Sequence, residues 1–215
     1  MARINMKDSG KFASGTSDYF SLKDDGDTAK VRFLYNEPDG SDMDYYLVHE
    51  IKLEDGKHKY VSCLAVDDEG HMHKDDCPLC KAGIPTKEKL FLQLYNEDEH
   101  KLMIWERGAT FVGKIVAYLN RYGSLVSRPM DVTRRGRKGD KKTSYELFAG
   151  DKDDKTLADF PEKINIEGRI IVKATAQDMQ DMVNGVYEWE NKDTKNESTN
   201  TRHRSRGTRD YDDAF

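Results

Sequence analysis

All three cysteines of the chain lie between residues 63 and 80. Cys77-Pro-Leu-Cys80 is a CxxC knuckle, whose two thiols can reach one ion from a single turn. Thirteen residues separate Cys63 from Cys77, and thirteen separate His49 from Cys63. Three thiols and one imidazole form the donor set of a closed, four-coordinate zinc site. Such a site constrains folding strongly, because the two single ligands must come from elements that return to the knuckle. Other readings of these residues exist. A CxxC in a reducing compartment can be a redox pair, although no strand-then-helix pattern flanks this one. Three separate thiols can simply be buried. His58, His71 and His73 compete with His49 for the fourth position. The zinc-deaminase pattern, H-x-E with P-C-x-x-C, is absent: Glu50 follows His49 directly and Pro78 lies inside the knuckle. A full donor set leaves no open position, so the expected role is structural, with one zinc per chain.

The 215 residues, 36% hydrophobic and 35% charged, suit one medium domain with polar ends. No apolar run approaches the ~20 residues of a membrane span. The polar start, Met1–Lys11, does not read as a signal peptide, and an odd cysteine number without one points to the cytoplasm. A net charge of −5 excludes a uniformly basic binder. The charge is uneven, however: residues 121–142 carry eight basic side chains against two acidic ones.

In chain order, residues 1–26 read as a loosely held arm and 27–189 as the folded core, with a metal-binding subdomain over about 46–86. Residues 28–35 alternate as a strand. Residues 44–53 and 57–65 form a hairpin about Glu54-Asp55-Gly56, which presents His49 and Cys63 on one side. Residues 89–95 alternate, with Leu90, Leu92 and Leu94 inward, and Leu102 and Ile104 are expected to join them. Phe91, Tyr95, Trp105 and Arg107 would then share the opposite face. An aromatic and cationic sheet face suits stacked bases, and the plainer reading is a second buried face. Residues 110–122 have helical spacing, with Thr110 as cap and Gly123 as stop; Arg121 and Tyr122 close that helix within reach of a ligand. A second hairpin, 125–134 and 143–150, carries the basic tip Arg135–Lys142. Residues 166–175 read as a closing strand and 177–184 as a short helix. Residues 190–215 form a polar tail ending in an acidic, aromatic tip. Within it, Asp210, Asp212, Asp213 and Phe215 are the candidates for docking a partner.

The order of elements suggests a mainly β fold with some α: an OB-fold barrel with an inserted zinc-binding subdomain. Four segments resemble the core of the T-even-phage single-stranded DNA-binding, or helix-destabilising, protein family: Ala29-Lys-Val-Arg-Phe-Leu34, Leu47-Val-His49, Gly56-Lys-His-Lys-Tyr-Val-Ser-Cys63 and Cys77-Pro-Leu-Cys80. The resemblance covers residues 28–84 well and continues weakly to about 175. It implies His49, Cys63, Cys77 and Cys80 as zinc ligands, and so favours His49 over the other histidines. It also implies a basic, aromatic-lined cleft between the barrel and the zinc subdomain. The family's longer basic arm serves self-association; here residues 1–15 hold only Arg3, Lys7 and Lys11. The short tip is more like the end of bacterial single-stranded DNA-binding proteins.

The resulting expectation is a protein that coats single-stranded DNA during phage replication, recombination and repair, in the host cytoplasm, and performs no chemistry. Lys59, Arg107, Arg121, Arg128, Arg134, Arg135, Arg137 and Lys138 would neutralise phosphates, while Tyr60, Phe91, Tyr95 and Trp105 would stack on bases. The tip would recruit replication or repair proteins. The competing expectation is a zinc-containing RNA-binding regulator of the translational-repressor type.

Overall fold

One long strand, β4 (Thr86–Asn96), pairs with three others and centres the sheet. The computed structural model of the chain describes residues 19–67, 70–137, 139–140 and 142–189. Before β4 come β1 (Thr28–Phe33), β2 (Tyr45–Lys52), β3 (His58–Ser62) and the single helical turn α1 (Pro78–Lys81). After it come β5 (Lys101–Gly108), α2 (Val112–Tyr122), β6 (Met130–Arg135), β7 (Ser144–Ala149), β8 (Ile171–Val172) and α3 (Ala176–Val183). The fold is mainly β, as expected, with a few helices.

One edge of β4 is divided between two partners: Thr86–Leu90 pairs with β2, and Leu94–Asn96 pairs with β1. The other edge pairs with β5. Between β1 and β2 the backbone of β4 needs substitute partners, because buried amides must be satisfied. Tyr35 supplies two of them: its hydroxyl accepts from the Gln93 N–H at 2.7 Å and donates to the Phe91 carbonyl at 3.1 Å. The sheet runs β7-β6-β1-β4-β2-β3-β8 and does not close on itself, since β7 and β8 are its ends. A closed barrel is therefore not formed. The expected closing strand over 166–175 shrinks to β8, which runs parallel to β3. Its first half is a tight turn, with Gly168 at φ 81° and its N–H donating to the Ile171 carbonyl.

The open seam beside β7 is covered by α2. Lys114 and Tyr118 donate to the outward carbonyls of Tyr145 and Leu147, so the β7 edge is not left bare. The helix starts later than its spacing predicts. A 3₁₀ turn over Ala109–Phe111 precedes it, Thr110 does not cap it, and Gly123 at φ 77° ends it as expected.

The sheet is buried on both faces. Val31, Phe33, Leu90, Leu92, Leu94, Trp105, Met130 and Leu147 fill one core under α2. Val48, Phe91, Ile104, Ile166 and Ile171 fill a smaller one on the opposite face. A third cluster, with Val61, Leu79, Ala174 and Met179, surrounds Cys77. Residues 19–22, expected within a loose arm, are held in place: Phe20 is buried, its ring edge-on to Trp105 at 5.4 Å, and its N–H donates to Ile104. Among the described residues no helix is long and apolar enough to cross a membrane.

Candidate metal centre and cationic aromatic surface

The five-residue link between Lys52 and His58 sets the hairpin register, pairing His49 with Val61. Cys63, two residues on from Val61, therefore shares the face of His49. Gly56, at φ 82°, makes the turn possible. Pro78 opens α1 at a position where a missing N–H is harmless, so Cys77 sits at its N-cap and Cys80 within its turn.

These elements bring His49, Cys63, Cys77 and Cys80 together, with ligand atoms all within 4.8 Å of one another. Cys63 Sγ lies 3.6 Å from Cys80 Sγ, and His49 Nε2 lies 3.4 Å from Cys77 Sγ and 3.7 Å from Cys80 Sγ. Tetrahedral zinc with ordinary bond lengths places sulfurs about 3.8 Å apart and sulfur and nitrogen about 3.6 Å apart. The spacing therefore fits one metal ion and is compatible with zinc. It is far too long for a disulfide, and all three thiols are free. The competing histidines are elsewhere: His58 is exposed beside Glu50, and His71 and His73 are exposed beside Asp67.

The local chemistry also favours a cation. Burial raises the Cys63 pKa to about 12, with the neighbouring thiols Cys77 and Cys80 adding to it. Burial likewise raises Cys80. Cys77 lies below the usual thiol value: burial opposes this, but N–H groups of Cys80, Leu64 and Leu79 outweigh it. Without a cation the three thiols cannot easily share negative charge; a bound divalent ion would stabilise all three thiolates. Burial lowers the His49 pKa, with the Ile84 and Pro85 backbone acting against it, so the ring favours the neutral, ligating form. Met179 of α3 closes the site, its Sδ 3.8 Å from Cys77 Sγ. Only the long return of the chain reveals that lid; the sequence marks the helix itself, through the Thr175 and Asp178 capping box, but not where Met179 docks.

The expected nucleic-acid contacts are dispersed. Phe91 and Trp105 are corrections: both are core residues, 0% and 1% exposed, and neither ring face is open to a base. Leu92 pairs with Trp105 and Gln93 with Ile104, so the tryptophan joins the leucines and Phe91 joins the second core. The plainer reading of these aromatics holds. Tyr60 is half-buried, its hydroxyl donating to Glu106 at 2.8 Å with Lys89 over its ring. Lys59 lies next to it on β3. Tyr95 is half-buried against Phe160, with ring centres 5.3 Å apart.

Arg134 is a second correction. Its guanidinium donates to the carbonyls of Leu22, Gly136 and Arg137 and to Tyr145 Oη and Thr143 Oγ1, all within 3.2 Å. It organises the hairpin tip rather than presenting a cation. Arg135 is exposed and paired with Glu146 at 2.8 Å, and Arg137 is exposed. Lys138, and the tip residues Asp210, Asp212, Asp213 and Phe215, lie outside the described residues.

The remaining arginines sit on aromatic faces. Arg107 lies 4.3 Å from the ring centres of both Trp105 and Tyr145; burial pulls its pKa down, yet a guanidinium stays charged. Arg128 lies 4.1 Å over Tyr122, and Arg121 lies 5.4 Å from the same ring. The sequence places Tyr122 at the end of the helix within reach of a ligand; exposed Phe148 on β7 has no local signal that separates it from a core residue. The chain matches no family model, no curated protein and no solved structure.

Proposed function

We propose that this protein binds single-stranded DNA through an arginine and aromatic surface, on an OB-type scaffold braced by one structural zinc ion. One observation carries the reading. In a chain of net charge −5, Arg121 and Arg128 both lie over the Tyr122 ring where α2 ends beside β7, and Arg135 and Arg137 are exposed at the β6–β7 tip. Phosphates need cations without base reading, and rings accept any base, so such a surface binds strands with little sequence preference. The likeness of residues 28–84 to the T-even-phage family supports the same reading.

His49, Cys63, Cys77 and Cys80 would hold the zinc, which supplies cross-linking of the β2–β3 hairpin to α1 and no reaction. The acidic tip would recruit replication, recombination or repair proteins of a phage-infected cell.

The test is a titration of the full chain with an oligothymidine, a DNA duplex and the matching RNA at two salt concentrations. Expected are preference for the single DNA strand and affinity falling linearly in log–log salt, by about 0.7 per phosphate neutralised. A salt-independent affinity sinks the surface, and tighter binding of RNA turns the reading to an RNA regulator.

A further inference from the structure

Between α2 and β7 runs an open groove of about 350 Å³, lined by Ala117, Tyr118, Arg121, Tyr122, Phe148 and their β7 neighbours Leu147 and Ala149. We infer that this groove takes one unpaired nucleobase and its phosphate, with Phe148 as the stacking platform and Arg121 as the phosphate contact. This rests on the single-stranded DNA reading and deepens it. The groove lies away from the metal hairpin, beside which the family resemblance would put the cleft.

Phe148 is the first reason. It is 57% exposed, on the solvent side of β7 with Ser144 and Glu146, where a strand ordinarily shows polar side chains. The second is the opposite wall. Tyr118 and Tyr122 lie nearly parallel, 28° between planes and 6.0 Å between centres. Tyr118 is fixed by its hydroxyl on the Leu147 carbonyl, and Tyr122 by Arg128, which also bonds the Gly150 carbonyl at 3.1 Å. The rings are therefore set before any ligand arrives, which lowers the ordering cost of binding. The third is charge. Arg121 is exposed and lines the groove, Arg128 lies behind it over the Tyr122 ring, and no carboxylate is among the described lining residues, the nearest on the sheet being Asp131, which pairs opposite Phe148. An aromatic slot with a cationic end fits a nucleotide of a single strand, whose base takes the ring and whose phosphate takes the guanidinium; a basic peptide finds no counter-charge at Arg121.

The experiment compares the full-length chain with Phe148→Ala, Phe148→Trp and Arg121→Gln by fluorescence anisotropy on labelled oligothymidine across a salt series. Photocrosslinking to 5-iodouracil DNA runs in parallel. Phe148→Ala is expected to weaken binding about 5- to 100-fold with the salt slope unchanged, because it removes stacking and no charge. Phe148→Trp should restore affinity. Arg121→Gln should reduce the slope by about 0.7. Crosslinks should map to Phe148 or Tyr122. Thermal melting of each variant checks that exposed Phe148 is not a folding residue. If Phe148→Ala binds as the parent does, or the crosslinks map elsewhere, the groove assignment is overturned while the DNA reading stands. If the parent chain binds no single strand, both fall.

Discussion

Tyr35 shows how much one hydroxyl can decide. It fills the gap where β1 and β2 leave β4, and it is fully buried. Burial, with nearby Asp44, raises its pKa well above the usual value, so the hydroxyl stays neutral and can donate and accept. Tyr35→Phe leaves the Gln93 N–H and the Phe91 carbonyl unpaired, and is expected to lower stability by about 1–3 kcal/mol in urea unfolding. Arg32 is the other such residue. It is 1% exposed and donates to Glu97, Asp153 and the Val126 carbonyl. The hydrogen bonds from Arg32 hold the Asp153 carboxyl below the usual carboxylate range. A carboxyl depressed in the folded state stabilises above its unfolded pKa and loses that contribution as pH falls through its folded value. Asp153→Asn should therefore flatten part of the fall in stability as pH drops below the ordinary carboxylate value of 3.8, measured by denaturation at each pH. An arginine inside the strand pattern 28–35 was legible in the sequence; its partners, as far away as position 153, were not.

At the scale of elements, the candidate metal site joins pieces that otherwise share the β3–β8 pairing and one small apolar cluster. The β2–β3 hairpin supplies His49 and Cys63, α1 supplies two thiols, and α3 contributes Met179 and Ala174 to the surrounding cluster. A small core of this kind gains stability from a bound ion that cross-links its elements. Chelation, or Cys63→Ser, is expected to release one metal per chain and to speed amide exchange in β2, β3, α1 and α3, while β6 and β7 remain protected. Uniform loss of protection across all strands would contradict this division. The knuckle and the hairpin turn were legible because each is local chemistry. The α3 lid was only partly so: Thr175 and Asp178 form a capping box that starts it, but nothing local says where it docks.

At the scale of the molecule, the stack around Trp105 ties remote parts of the chain together. Its ring meets Phe20, Phe33, Phe111 and Tyr145, with centres 4.9–6.3 Å apart. A sequence reading that puts Trp105 on the surface expects Trp105→Ala to remove a base contact. The structure expects a global loss of about 3–5 kcal/mol in stability instead. Calorimetry on the variant, paired with affinity per folded molecule, separates the two: affinity per folded molecule should change little.

The three candidate thiol ligands, the positions of most strands, a helix ending at Tyr122 and both hairpins were legible in the sequence, because turn chemistry, periodicity and donor type are local; the choice of His49 over the other histidines came from the family resemblance, and only the fold brings its ring to the thiols. Tertiary structure decided which face each strand shows. The link between β4 and β5 has four residues, so Asn96 pairs with Lys101 and even positions meet odd ones along the whole ladder. That single count moves Trp105 from the expected surface to the core. It also leaves the aromatic and cationic surface to α2 and β7, elements that meet only because the sheet stays open and a helix must cover the seam.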